Sequence, residues 1–220
     1  MPVIWYNVFM RKDKNITWST NSAYAIGLFV ADGSLSKDGR HLDFTSKDLD
    51  QVENFLSCIG SDNLISTKSR SRINEGKNYF HAQFSDVTLY RFLNNIGIQN
   101  NKSLTIAKVD VPDKYFADFL RGLLDGDGCI SLNNHIESKI PQIKTRFTSG
   151  SNEFLLWLKK KIAHITDVSG GCITKSTRCW QLSYGKGDSL VLISFMYYSA
   201  DLICLRRKFD TAQHVLDLQN

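Results

Sequence analysis

The sequence predicts an α+β fold of two pseudo-symmetric halves. Each half runs helix, two strands, helix, two strands, helix (αββαββα), and the halves pack through one helix from each. Three observations support this. The pattern G-L-x-x-x-D-G occurs twice, in "AIGLFVADGSL" at 25–35 and in "FLRGLLDGDGCI" at 119–130, with its aspartates 95 residues apart. A longer likeness aligns "HLDFTSKDLDQVENFLSCI" (41–59) with "KTRFTSGSNEFLLWLKKKI" (144–162). Polar, β-prone segments then follow in both copies, at 65–73 and 78–85 in the first and at 172–184 in the second.

Taken in order, residues 1–18 are an N-terminal extension with no counterpart in the second copy. The first half spans 19–99. Its alternating stretch ends in Phe-Thr-Ser and passes into Leu49, Val52, Phe55, Leu56 and Ile59, the spacing of a helix packed on one side. Leu89, Phe92, Leu93 and Ile96 mark the half's last helix. Residues 100–114, polar with one proline, read as a linker. The second half spans 115–220, with Leu190, Ile193, Phe195 and Met196 on the matching helix and a final helix at about 202–218.

Composition bounds the function. The 220 residues are 42% apolar and 22% charged, ordinary for a chain that buries a core. A net charge of +5 favours polyanionic partners. No apolar run approaches the ~20 residues that span a bilayer. The N-terminal stretch lacks the apolar core of a signal peptide and has too little Arg and Ser for a transit peptide. Five cysteines without C-x-x-C spacing read as free thiols in a reducing compartment. The expected location is intracellular, in cytoplasm, nucleoid or an organelle, with no membrane association.

The paired motif has a physical meaning of its own. Gly27 and Ala31 are four apart and share a helix face, as do Gly122 and Gly126. Two such faces allow close helix packing, which offsets the roughly 0.5–1 kcal/mol that interior glycine costs. Gly33 and Gly128 stand where left-handed helix terminators are expected. Asp32 and Asp127 are the anomaly, because a carboxylate is disfavoured at the negative end of a helix. Brought side by side they also repel. A divalent cation would relieve both effects, held by the two carboxylates, by main-chain carbonyls such as those of Ala31 and Gly126, and by a phosphate. Counting from Asp125, an EF-hand's glycine and closing glutamate positions hold Ile130 and Ile136, which excludes a calcium loop. No phosphate-binding G-x-x-x-x-G-K-[ST] occurs.

The motifs "YAIGLFVADG" and "FLRGLLDGDG" resemble those of the LAGLIDADG homing endonucleases, in their single-chain, two-motif form, and the likeness covers about 19–218. It implies that the motif helices form the central interface. It also implies that each motif's last acid, Asp32 and Asp127, binds metal at a catalytic centre. The family's earlier acidic position holds Val30 in one copy and Asp125 in the other; Asp125 reads as a solvated group or one beside the ligands. A basic residue near each centre is typical. Lys47 occupies that place in the first half, while Gly150 does so in the second, where Lys186 is the substitute. Ser46 and Ser149 stand where a polar residue touches solvent or metal.

The resemblance also implies antiparallel sheets that form a saddle over DNA. The sequence agrees on its own terms, since Gln142, Lys144 and Arg146 alternate with Ile143, Thr145 and Phe147. Lys68, Arg70 and Arg72 share a face, and Tyr79, His81 and Gln83 alternate with apolar residues. Lys175, Arg178 and Gln181 complete the candidate DNA contacts. The implied activity is Mg2+-dependent cleavage of both strands of a long non-palindromic duplex by a monomer, in the service of intron or intein mobility. Mn2+ would substitute, and Ca2+ would support binding without cleavage. The alternatives are an RNA maturase or a non-cleaving DNA-binding regulator on the same fold, and a metal-dependent hydrolase of small substrates. Retention of both aspartates favours cleavage.

Overall fold

The structure is a computed structural model that describes residues 16–69, 78–133 and 141–218. The first motif helix, α1 (Thr20–Asp32), starts at Ser19, whose Oγ accepts from the Ser22 amide while Ser22 Oγ accepts from the Ser19 amide. This reciprocal cap satisfies two donors that a helix start leaves bare. Every residue from Ala23 to Phe29 is buried, as in a helix covered on all sides. The rest of the first half is β1 (Gly33–Leu35), β2 (His41–Ser46), α2 (Leu49–Cys58), β3 (Ser66–Ser69), β4 (Asn78–Ser85) and α3 (Val87–Asn95). The connector carries a short helix, α4 (Lys102–Thr105), and a 3-10 turn at Asp113–Tyr115. The second half repeats the order: α5 (Phe116–Asp127), β5 (Cys129–Asn133), β6 (Gln142–Ser149), α6 (Asn152–Ile165), β7 (Cys172–Lys175), β8 (Trp180–Tyr184) and α7 (Lys186–Met196). A last helix, α8 (Arg206–Asp217), follows.

The fold is α+β, with two four-stranded antiparallel sheets ordered β1-β2-β4-β3 and β5-β6-β8-β7. The alternation in β6 is real: Ile143, Thr145 and Phe147 are buried while Gln142 and Lys144 are exposed. One face of each sheet therefore meets helices and the other is open. Phe44 stacks on Phe55 at 4.3 Å between centroids under the first sheet. In the second half Trp157 meets Phe116 and Phe119 edge to face. Among the described residues no helix is long and apolar enough to cross a membrane.

The halves join where α1 crosses α5. A Cβ added to Gly27 would fall on the carbonyl oxygen of Phe119 and lie 2.9 Å from the Leu123 nitrogen. A Cβ added to Gly122 would fall on the carbonyl oxygen of Tyr24 and lie 2.9 Å from the Leu28 nitrogen. The two glycines thus meet each other's helix in mirrored fashion, as a local two-fold axis requires. One turn on, a Cβ at Gly126 would overlap that of Ala31.

Gly33 and Gly128 differ from expectation. Both have extended backbones, φ −83° and ψ 161° at Gly33, φ −94° and ψ 173° at Gly128. The chain leaves each motif helix straight into a strand, so no left-handed residue intervenes. Space demands glycine instead: a Cβ would strike the Phe29 ring at Gly33, and Leu124 Cα at 2.6 Å at Gly128.

Gly122→Ala is expected to lower stability by ~1–3 kcal/mol, because the new methyl meets backbone that cannot rotate away. Gly187→Ala in α7, where a Cβ meets nothing within 4 Å, is the control and should hold or raise stability. Urea unfolding compares them, and equal midpoints would refute backbone contact at the crossing.

Candidate active site and nucleic-acid interface

Both motif helices end at an aspartate, and the two ends lie side by side. Asp32 accepts a hydrogen bond from Gln51 Nε2 at 3.2 Å. Gln51 is buried and is itself held by Ser46 Oγ, 3.1 Å from its Oε1. Asp32 leans across the interface: a Cβ on Gly126 would stand 3.3 Å from its Oδ2. Asp127 lines a cavity with Ala31, Ser103, Thr148, Ser149 and Gly150. The Phe-Thr-Ser repeat puts Phe154 where the first half has Gln51, and among the described residues no side chain hydrogen-bonds Asp127. The two ends are therefore unequal.

Two lysines complete the arrangement. Lys102, buried at the start of α4, donates to the Val30 carbonyl at 2.8 Å. Lys208, buried on α8, donates to the carbonyls of Asp125 and Gly128, both at 2.8 Å, and of Gly126 at 3.3 Å. Each ammonium thus neutralises the carbonyl end of one motif helix, where partial negative charge collects. Burial, then the charge of Asp127, raises the Asp32 carboxyl from 3.8 to about 7, against the pull of Lys102 and Lys208. Burial raises Asp127 against the same lysines. Burial lowers Lys102 to about 8, opposed by both aspartates, and lowers Lys208 as well.

Sequence reasoning missed both lysines. One fell in a stretch read as a linker, the other in a helix read as a terminus. The signal was their separation of 106 residues, close to the 103-residue offset of the Phe-Thr-Ser repeat. The segments that carry them cross between halves. Arg207 pairs with Asp48, the residue before α2, at 2.7 Å, and Asn54 Nδ2 donates to the Cys204 carbonyl at 3.0 Å. In the other direction, a Cβ on Gly150 would fall on the Ser103 carbonyl oxygen. This is why the second half has glycine where the first has Lys47.

Lys47 is exposed one residue beyond β2, at the end of the sheet where α1 finishes, since Gly33 pairs with Phe44. Lys186 is not brought to the aspartates. It lies two residues past Tyr184, which faces Thr145, whereas Asp127 lies two residues before Cys129, which faces Arg146. The register sends the two toward opposite ends of β6. Asp125 is not solvated: it is fully buried and accepts from Tyr24 Oη at 2.8 Å, Tyr197 Oη at 3.0 Å and the Leu205 amide at 2.7 Å. Ser46 is buried on Gln51 instead of meeting solvent, and Ser149 Oγ accepts from the Ser151 amide at 3.1 Å beside Asp127.

On the open face of the first sheet, Lys68 stands opposite Tyr79, Thr45 opposite His81 and Asp43 opposite Gln83. Lys68 is paired with Asp43 at 3.0 Å, and His81 Nδ1 lies 2.9 Å from Ser66 Oγ. Arg70 and Arg72 lie outside the described residues. On the second sheet Ser131 faces Lys144, Arg146 faces Ser183, and Thr148 faces Gln181, all on the open side. The Arg146 Nε is buried without a partner, a donor left over in a group built to make several bonds. Arg178 is exposed in the β7–β8 turn. Lys175 corrects the expected set: it pairs with Trp180, one position out of phase with Gln181, and its ammonium lies 5.6 Å from that ring.

Among the described residues no three His, Cys, Asp or Glu side chains cluster as a metal cage. Two carboxylates, both raised by burial and one of them also by its neighbour's charge, suit a hard cation that keeps water among its ligands.

Residues 19–97 match the family of LAGLIDADG-like domains. An uncharacterized protein of Methanocaldococcus jannaschii is 33% identical over 125 residues, which is 52% of this chain and 41% of that protein. The chain thus spans about two-fifths of that relative. Among solved structures, the I-LtrWI LAGLIDADG homing endonuclease bound to target DNA superposes with a TM-score of 0.60 at 13% identity, covering 91% of this chain and 90% of that one. I-SmaMI, bound to uncleaved DNA target in the presence of calcium ions, gives 0.60 at 14% identity, covering 90% of this chain and 92% of that one. Full-length DUF199/WhiA from Thermatoga maritima gives 0.58 at 15%, covering 94% of this chain and 63% of that one. At these identities the shared property is the fold.

Metal-free stability should depend on pH through the aspartates. Asp32 holds its proton more tightly folded than unfolded, so its contribution is full below about pH 4 and lost as pH rises through about 7. In EDTA the melting temperature should fall from pH 5 to 8, and Asp32→Asn should flatten that fall. The gain at pH 8 is at most roughly 4 kcal/mol. Parallel curves for the two proteins would refute the burial of this charge.

Proposed function

We propose that this chain, which carries a LAGLIDADG-like domain over residues 19–97 and the LAGLIDADG fold across both halves, is a site-specific double-stranded DNA endonuclease. It acts as a monomer on a long non-palindromic site and hydrolyses one phosphodiester in each strand. The observation that carries this reading is the meeting of Asp32 and Asp127 at one end of the crossing, each helix end with its buried lysine. Bending two polar-faced sheets over a duplex would set that end against the backbone.

Asp32 and Asp127 are the groups that would hold Mg2+, with Mn2+ an effective substitute and Ca2+ supporting binding alone. The bound cation supplies charge stabilisation at phosphate oxygens and an acidified water. The chain's own groups do the remainder. Gln51 fixes the Asp32 carboxylate, and Lys102 and Lys208 offset the charge that two carboxylates and a phosphate bring together. Lys144, Arg146 and Gln181 offer donors to phosphates and base edges. Intron or intein mobility is the biological role that fits such an activity.

A second reading is DNA binding without cleavage: the fold is shared also with DUF199/WhiA, at a TM-score of 0.58, and fold alone does not decide chemistry. A randomised plasmid library incubated with Mg2+ and sequenced at its cut ends separates the two. Defined double-strand cuts are expected. On the selected site, Asp32→Asn and Asp127→Asn should each lower cleavage at least roughly 100-fold while binding in Ca2+ persists. Tight binding with no cutting by the unaltered protein would return the chain to the second reading.

Arg146→Ala tests the saddle. If the guanidinium reads a base, affinity should fall by ~1–3 kcal/mol with relaxed preference at one position. If it meets phosphate, the salt slope should drop by about one. An unchanged affinity and slope would remove Arg146 from the interface.

A further inference from the structure

Asp125 belongs to the second motif yet does not face the aspartate pair, and only the second motif has a carboxylate at this position. A closed circuit of hydrogen bonds runs through it. Its Oδ2 accepts from the Leu205 amide at 2.7 Å. The Leu205 carbonyl accepts from the Lys208 amide at 2.9 Å, the first bond of α8. The Lys208 ammonium returns to the Asp125 carbonyl at 2.8 Å. Tyr24 Oη and Tyr197 Oη fill the remaining capacity of the carboxylate, one from α1 and one from the start of the segment that leads to α8. That segment has no regular structure between α7 and α8. Arg121 Nε holds the Ile203 carbonyl at 3.1 Å and Asn54 Nδ2 the Cys204 carbonyl at 3.0 Å, so its carbonyls are tied elsewhere, while the amide at the head of α8 is held by Asp125.

We propose that Asp125 is the positioning residue for Lys208. It fixes the amide at the head of α8 and so places the lysine three residues on against the end of α5. The first half supplies the comparison. Lys102 reaches the Val30 carbonyl at 2.8 Å, the same bond at the equivalent motif position, but the Val30 side chain cannot anchor an amide. Loss of Asp125 therefore disturbs one lysine and spares the other. Its consequence for strand cleavage rests on the endonuclease reading above; its consequence for Lys208 does not.

Two readouts test this on the full chain. Reductive methylation with formaldehyde, followed residue by residue in the mass spectrometer, reports the accessibility of each lysine. In Asp125→Ala, Lys208 should label at least tenfold faster than in the unaltered protein, with Lys102 still protected. Asp125→Asn keeps an acceptor for the Leu205 amide and should restore protection. Leu205→Pro removes that amide at a φ of −76°, which proline accepts, and should expose Lys208 without altering the motif. The second readout uses duplex labelled on either strand. If the two aspartate variants slow the two strands unequally, the strand slowed more in Asp127→Asn should slow at least fivefold more in Asp125→Ala than the strand slowed more in Asp32→Asn. Continued protection of Lys208 overturns the proposal, as does joint exposure of both lysines or equal slowing of both strands. If no protein cuts DNA but Lys208 alone becomes reactive, the endonuclease reading fails and the positioning role stands.

Discussion

Everything in this molecule follows from how closely the backbones of α1 and α5 approach. Carbonyl oxygens of Tyr24 and Phe119 occupy the space that side chains at Gly122 and Gly27 would need. Contact at that distance fixes the relation of the two halves more tightly than interdigitating side chains could, since no rotamer can relax it. The crossing also decides where the helices end relative to each other. Asp32 stands over the last turn of α5 because Gly126 and Ala31 leave room one turn beyond the glycine pair.

The electrostatic arrangement at those ends resolves the anomaly that the sequence presents. Two carboxylates at the negative poles of two helices would be untenable in a dry interior. Lys102 and Lys208 answer the poles directly, through hydrogen bonds to terminal carbonyls, and leave the carboxylates only partly compensated. Both lysines are held below their ordinary proton affinity by burial, so the site contains opposed charges that each lack full solvation. Under the endonuclease reading proposed above, a cation and a phosphate would complete that compensation.

The fold was legible because its signals are local and repeated. Helical spacing at Val52, Phe55 and Leu56, alternation at Ile143, Thr145 and Phe147, and two glycine-rich motifs each declare an element without reference to the others. The paired aspartates were legible for the same reason. Lys102 and Lys208 were not, because their neighbours carry no pattern and their significance arises only when the chain returns to a distant helix end. The same holds for Gln51, an unremarkable polar residue on an amphipathic helix until Ser46 and Asp32 bracket it. Lys186 misled because a lysine between two glycines looks exposed and available, while strand register carries it away from the motif ends. Lys175 misled by a single position, which in a strand exchanges one face for the other. Gly33 and Gly128 were assigned the right residue type for the wrong reason, crowding by Phe29 and Leu124 instead of backbone handedness.

The segments around Ser103 and Arg207 have a consequence for modularity. Each leaves one half and lies against the strand–helix junction of the other, at Gly150 and at Asp48. The repeat therefore looks like two interchangeable modules, but the boundary between them is not a plane. A chimera that joined the first half of this chain to a second half from elsewhere would need a small residue waiting for Ser103 and an acid waiting for Arg207. An exchange of halves would have to carry each junction together with the segment that covers it, so the working boundary of a module is the interlock and not the linker.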